Sequence, residues 1–321
     1  MSEKFVDIIA AISSSKNVII TGHIMPDGDS IGSTLALGLA LEKLGKKVTM
    51  ACPDAVPESF LFLPGADRIH CGVPKNDEYD TIFVVDCSTP DRVGEEMQEL
   101  LNGNITIVNI DHHINGVQFA DVSYVDSSAA ATGEIIFDLL DELGVIDVDI
   151  AINLYAAILT DTGSFRYEAT TSLTHRRVAK LLEFGINVSR VTKHLFDEKP
   201  LEVFMVLKQA LKNLYISKCG RTAWISINWD ELQKIGAKDE HTRGLVNYPR
   251  SIKGVKIALM FREPSPGLVK VSIRSNDDID VSKIAAEFGG GGHKRAAGCL
   301  IEGDIETIKE KVIEKVLKVL D

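Results

Sequence analysis

The chain has 321 residues, enough for about two domains with cores of their own. Apolar residues make up 45%, charged residues 25%, and the formal net charge is −11, a globular balance that argues against a protein gripping long duplex nucleic acid through a basic surface. No apolar run approaches the roughly 20 residues of a membrane span, the charged N-terminus does not read as a signal peptide, and five scattered cysteines without a C-x-x-C pair fit neither a disulfide framework nor a cysteine zinc site. The expected location is the cytoplasm, with no membrane partner.

In chain order, Phe5, Ile8, Ile9 and Ile12 recur at helical spacing. Residues 17–21 (NVIIT) predict a buried strand and 30–44 a helix. Strands follow at 47–51, 81–85 (TIFVV) and 105–110, and helices at 129–143, 149–160 and 172–184. Strands interleaved with helices predict an α/β domain with a mostly parallel, doubly wound sheet over residues 1–185. Residues 186–200 lack a period and end in Pro200. With the amphipathic stretch 201–214 they predict a linker and connecting helix, 186–214. Two alternating runs, 255–261 and 269–273, flank a Pro264–Gly267 turn and predict a hairpin. A short helix at 281–287 and a charged amphipathic one at 305–320 complete a smaller mixed α+β domain, 215–321.

The segment after the first predicted strand, GHIMPDGDSIGS, carries His23, Asp27 and Asp29. By itself it reads as an Asp-Gly turn with a helix cap. Asp86 ends the TIFVV strand, however, and Asp111-His112-His113 end the next strand, while Asp161 closes a predicted helix. A parallel sheet gathers its strand ends at one edge, where open α/β sheets build their sites. Carboxylates and imidazoles without thiolate suit Mn²⁺, Mg²⁺ or Co²⁺. The surplus of candidate ligands argues for two divalent cations, which can activate a water and clamp a phosphoryl oxygen.

These four signatures, GHIMPDGDSIGS, VVDCS, DHH and TDTGSF, resemble those of the DHH phosphoesterase family, over nearly the whole chain. The resemblance implies His23 and Asp27 on one metal, Asp29, His112 and Asp161 on the other, and Asp86 bridging. It implies that His113 faces the substrate phosphate and that Asp111 orients the histidines from behind. Met25 stands where many relatives carry a polar residue. Manganese is the metal expected first.

Residues 288–298 (FGGGGHKRAAG) hold a glycine run beside basic residues. Consecutive glycines let backbone N–H groups approach an anion, although a bare run is more simply a flexible helix exit. The segment resembles the DHH-associated domain, which implies Arg274, Ser275, Asn276, Gly291, Gly292 and His293 as substrate-binding residues, in a domain that closes over the metal cleft. The domain pair most resembles the branch of nanoRNases and 3′-phosphoadenosine-5′-phosphate phosphatases.

The expected partners are therefore short oligonucleotides and small nucleotide phosphates, with no long duplex; a homodimer is left open. The expected activity is a two-metal phosphodiesterase and phosphatase that trims very short oligonucleotides and dephosphorylates 3′-phosphoadenosine 5′-phosphate. Three alternatives remain: a phosphodiesterase for cyclic di-AMP or linear di-adenylate, an inorganic pyrophosphatase, and a non-catalytic nucleic-acid-binding module.

Overall fold

A computed structural model of the chain describes residues 3–74, 78–113, 117–276 and 278–320, with the side chain of His293 outside that set. The chain folds as two compact units, Met1–Glu198 and Lys199–Asp321.

In the first unit the elements are α1 (Val6–Ser14), β1 (Asn17–Thr21), α2 (Gly28–Lys43), β2 (Lys47–Cys52), β3 (His70–Cys71), β4 (Thr81–Val85), α3 (Glu95–Leu101), β5 (Thr106–Asp111), β6 (Val122–Val125), α4 (Thr132–Leu143), α5 (Val148–Asp161), α6 (Ser172–Glu183) and α7 (Val188–Thr192). The strands form one sheet in the order β3-β2-β1-β4-β5-β6, parallel throughout. Both faces are covered, as the apolar strand sequences require. Val18 and Ile20 face a core built with α1, α2, α4 and α5, while Ile19, Ile82 and Val84 face Val93 and Met97 on the other side. The expected α/β class is what the chain adopts.

The strand order reverses between β1 and β4, so the carboxyl ends of these two strands flank the crevice where open α/β sheets hold ligands. Helix α2 leaves that crevice at its N-terminus. Its cap is Asp27, whose Oδ1 accepts from the Asp29 and Ser30 amides, both at 3.1 Å. One residue thus carries both the cap role and a candidate ligand role. Helices α2 and α5 run close together because Gly32 has no side chain: a Cβ there would stand 2.5 Å from the Asn153 carbonyl oxygen.

Strands β3 and β6 were not expected from the sequence; with two and four residues at the sheet's edges, they are too short for a period to register. Residues 186–197 also show no period, yet they form α7 and a π-helical turn, Lys193–Asp197. Ile186 and Val191 are buried in the first unit's core there, with Leu195 and Phe196 packed against it.

In the second unit α8 (Leu201–Lys212), β7 (Tyr215–Ile216), β8 (Thr222–Ile227), α9 (Trp229–Ile235), α10 (Asn247–Arg250), β9 (Ile257–Ser265), β10 (Leu268–Ser275), α11 (Val281–Ala286), β11 (Gly291–His293), β12 (Ala296–Glu302) and α12 (Ile305–Leu320) build a mixed sheet. Its order is β11-β12-β10-β9-β8-β7. The hairpin β9–β10 is antiparallel, whereas β8 runs parallel to β9. Helices α11 and α12 cover one face over Leu259, Val271 and Ile273. Residues of α8 and α9 cover the other, over Ile225 and Met260. No described helix is long and apolar enough to cross a membrane.

Candidate metal centre

The switch point of the first sheet gathers residues from five places in the chain. His23 lies two residues beyond β1, Asp27 and Asp29 sit at the start of α2, and Asp86 directly follows β4. Asp111 ends β5, His112 and His113 follow it, and Asp161 is the last residue of α5. His23, Asp29, Asp86 and Asp111 are buried; His112, His113 and Asp161 are partly so. Among the described residues three overlapping donor groups form, each with ligand atoms within 4.8 Å of one another: His23–Asp27–Asp86, Asp29–His112–Asp161 and Asp86–His112–His113.

The spacing between these atoms is informative. His23 Nε2 stands 3.4 Å from Asp86 Oδ2 and 3.8 Å from Asp27 Oδ1. His112 Nε2 stands 3.5 Å from Asp161 Oδ2, 3.6 Å from Asp86 Oδ1 and 3.9 Å from Asp29 Oδ2. Such separations are too long for good hydrogen bonds. They suit donors that would each sit about 2.0–2.2 Å from a shared divalent ion. The two oxygens of Asp86 face different histidines, Oδ1 toward His112 and Oδ2 toward His23.

Each histidine is held through Nδ1. His23 Nδ1 lies 2.7 Å from the Ile24 carbonyl oxygen and His112 Nδ1 lies 3.3 Å from that of Ala129. Donation to those carbonyls leaves Nε2 as the lone-pair nitrogen facing the carboxylates, the usual way a ligating imidazole is fixed. His113 Nδ1 is committed to Asp111 Oδ1 at 2.7 Å. Asp111 thus holds the His113 ring and also accepts a backbone hydrogen bond from His112, where the resemblance implied that it orients both histidines. Extended backbone alternates its side chains, so residues 111 and 113 share a side that 112 does not.

Charge crowding points the same way as the geometry. Burial and the Asp27 charge push the Asp29 carboxyl up to about 7. Burial and the Asp29 charge push Asp86 to about 6. Asp161 is raised well above the ordinary range by burial and by Asp29 and Asp86. Burial alone would lower His23, but the facing Asp27 and Asp86 carboxylates raise it to about 10 when no cation stands between them. Asp27, whose side chain is exposed, is held near 2 by the His23 contact and the backbone amides of Ser30 and Asp29, which outweigh its partial desolvation among its neighbours. Carboxylates packed this way repel one another unless a cation stands among them, so the donor set fits divalent metal.

The backbone is strained at the centre. Asp86 adopts φ +54° and Met25 φ +53°, a left-handed region that costs a non-glycine residue about 1–2 kcal/mol. The Asp86 amide donates to the Ile110 carbonyl oxygen at 3.0 Å, and the Met25 amide donates to Asp54 Oδ2 at 2.6 Å.

Several participants escape a reading of the sequence. Asp29 accepts from the Thr132 amide at 2.6 Å, the Gly133 amide at 2.9 Å and the Ser33 hydroxyl at 3.1 Å. The run of small residues 127–133 (SSAAATG) was the only trace of this close approach. A Cβ on Gly133 would stand 2.7 Å from that of Ala157. For Asp54 the sequence carries no signal.

In the second unit, the substrate-binding expectations are placed as follows. Arg274, half-buried at the end of β10, donates from Nη1 to the Ile273 carbonyl oxygen at 3.0 Å. Ser275 is buried. The side-chain Nδ2 of Asn276 donates to the Arg250 and Val255 carbonyl oxygens at 2.7 and 2.9 Å. Gly291 and Gly292 are exposed, but they belong to β11 and pair with Gly298 and Ala297 of β12. Part of the glycine run therefore serves strand packing: a Cβ on Gly290 would stand 2.2 Å from the Gly298 carbonyl oxygen. The His293 side chain lies outside the described residues.

Residues 17–159 match the DHH family, N-terminal domain, and residues 218–321 match the DHHA1 domain. The chain is 34% identical over 303 residues to the bifunctional oligoribonuclease and PAP phosphatase NrnA of Thermus thermophilus, covering 93% of this chain and 89% of that one. It is 31% identical to the probable bifunctional oligoribonuclease and PAP phosphatase NrnA of Streptococcus mutans, covering 92% of each. The crystal structure of an exopolyphosphatase-related protein from Bacteroides fragilis is similar at a TM-score of 0.91 and 27% identity, covering 97% of this chain and 94% of that one. Fold and site define a hydrolase of the phosphoesterase class that uses divalent cations. The chain belongs to the DHH family.

Proposed function

We propose that this protein is a two-metal phosphoesterase that releases nucleoside monophosphates from very short oligonucleotides and dephosphorylates 3′-phosphoadenosine 5′-phosphate. The single observation that carries the reading is the Asp86 carboxylate, with Oδ1 toward His112 and Oδ2 toward His23, in the midst of Asp27, Asp29 and Asp161. His23 and Asp27 would hold one ion, Asp29, His112 and Asp161 the other, and Asp86 both. Oxygen and imidazole donors without thiolate favour manganese, then magnesium or cobalt. Two such ions supply an activated water and a clamp for the phosphoryl oxygens.

The chain's own groups do the rest. Burial would lower His113, but the hydrogen bond its Nδ1–H donates to Asp111 and the charges of Asp86 and Asp111 raise it, which favours a ring able to donate to the substrate phosphate. Asp111 fixes the ring through Nδ1. Two relatives covered along most of their length carry oligoribonuclease and PAP phosphatase in their names, which supports this substrate class. With a net charge of −11 the chain has no long electrostatic track for a polymer. A cytoplasmic location accords with such substrates.

Activity on chelator-stripped protein resupplied with manganese tests the reading. kcat/KM is expected to be highest for substrates of about two to five nucleotides, as a pocket rather than a groove requires, and to fall steeply for a 24-mer RNA. 3′-Phosphoadenosine 5′-phosphate should also be turned over. Equal rates on the 24-mer and a dinucleotide would overturn the short-substrate assignment, and preference for cyclic di-AMP or pyrophosphate would transfer it to those substrates.

The second unit is proposed to bind the nucleotide through Arg274, Ser275, Asn276, Gly291, Gly292 and His293. Arg274→Ala is expected to raise KM for a dinucleotide about tenfold or more, the worth of one charge-assisted contact. Bound metal should be unchanged. An unaltered KM would remove Arg274 from the assignment.

A further inference from the structure

The metal reading assigns Asp29 and Asp86 to the ions but leaves open what aims these two mutually repelling carboxylates. Thr132 is fully buried at the start of α4 and touches both. Its amide donates to Asp29 Oδ2 at 2.6 Å, and its hydroxyl donates to Asp86 Oδ1 at 3.2 Å. Among the described residues, no other that hydrogen-bonds one of these carboxylates at such distances bonds the other as well. From these contacts we infer that Thr132 is a positioning residue of the metal centre, whose hydroxyl sets the rotation of the Asp86 carboxylate.

The argument is geometric. Asp86 emerges from β4 with a strained backbone, and its carboxylate can spread over both halves of the centre only at a restricted rotation. The Thr132 hydroxyl meets the same Oδ1 that faces His112, which leaves Oδ2 toward His23. The Thr132 amide, with that of Gly133, fixes Asp29 at the same time. The first turn of α4 is thus a template that sets the spacing of two proposed ligands, one at the start of α2 and one just after β4. Hydrogen-bond partners behind metal ligands act in this way, and their loss typically weakens metal affinity about 10–100-fold.

The inference rests on the reading of Asp29 and Asp86 as ligands, and the test separates the two. Thr132→Val keeps shape and amide and removes only the hydroxyl; Thr132→Ser restores it. Manganese binding to the chelator-stripped full chain is measured by calorimetry, with melting temperature in chelator as the control for folding. Thr132→Val is expected to bind manganese about 10–100-fold more weakly than the parent, with kcat reduced, KM for a dinucleotide unchanged and the same melting temperature. Thr132→Ser is expected to recover parental affinity. If Thr132→Val does not fold, Thr132→Ala is compared with Thr132→Ser by the same readouts. Parental affinity in the folded hydroxyl-free variant would overturn the inference, as would a serine variant no better than valine. A parent chain that takes up no manganese would overturn the metal reading and this inference with it.

Discussion

Asp86→Ala is expected to lower kcat on a dinucleotide at least about a thousandfold, the loss of roughly 4 kcal/mol of transition-state stabilisation. Calorimetry should show manganese uptake lost or reduced to a weak site. The size follows from position: Asp86 alone has its oxygens turned toward both His23 and His112, so its removal affects both halves of the centre. Asp86→Asn is the sharper companion, because asparagine tolerates the left-handed backbone found at this residue. It should be equally inactive, and in chelator near pH 7.5 it should melt no lower than the parent.

That last expectation depends on the sign of a charge effect. Burial and the Asp29 charge raise the folded Asp86 carboxyl from its ordinary value of 3.8 to about 6. The metal-free folded state therefore binds this proton more tightly than the unfolded chain does. Stability contributed by Asp86 is retained below about pH 4 and declines as pH climbs through about 6. Asparagine has no such decline. An Asp86→Asn variant that melted far below the parent in chelator would make Asp86 a structural residue and contradict its proposed role.

The second large effect lies behind the centre. Arg177 donates from Nη1 to Glu134 Oε2 at 2.7 Å and grips both oxygens of Asp138, from Nη2 at 2.6 Å and Nε at 2.9 Å. Arg177 and Glu134 are buried, and Glu134 Oε2 also accepts the Ala130 amide at 3.2 Å. Arg177→Met is expected to destabilise the first unit by about 3–5 kcal/mol in urea, since it leaves a buried carboxylate unpaired. The double variant with Glu134→Gln should recover part of that loss. An Arg177→Met loss below about 1 kcal/mol would show that the network is solvated. Glu134 shares the first turn of α4 with Thr132 and Gly133, so manganese affinity should fall along with stability.

The sequence by itself determined the class of fold and pointed to the residues proposed for the metal centre. Buried strands such as TIFVV are continuously apolar, and helices such as α6 and α12 are amphipathic, so period and composition reveal both without reference to the rest of the chain. Strand-end acids and histidines mark a site because a parallel sheet must bring its carboxyl ends to one edge. The resemblance then named which of them belong together. Only the tertiary structure decided how they are held. The amides of Thr132 and Gly133 reach Asp29 across 103 and 104 residues of chain, and such contacts leave no periodic trace in sequence. The same holds for the division of labour between His112 and His113, since their partners, the Ala129 carbonyl and the Asp111 carboxylate, follow from side-chain direction at the end of β5. Part of the glycine run proved to be a strand whose close approach to β12 leaves no room for a side chain at Gly292. Backbone proximity of that kind is set by which strands become neighbours, and composition alone cannot distinguish it from an anion-binding turn.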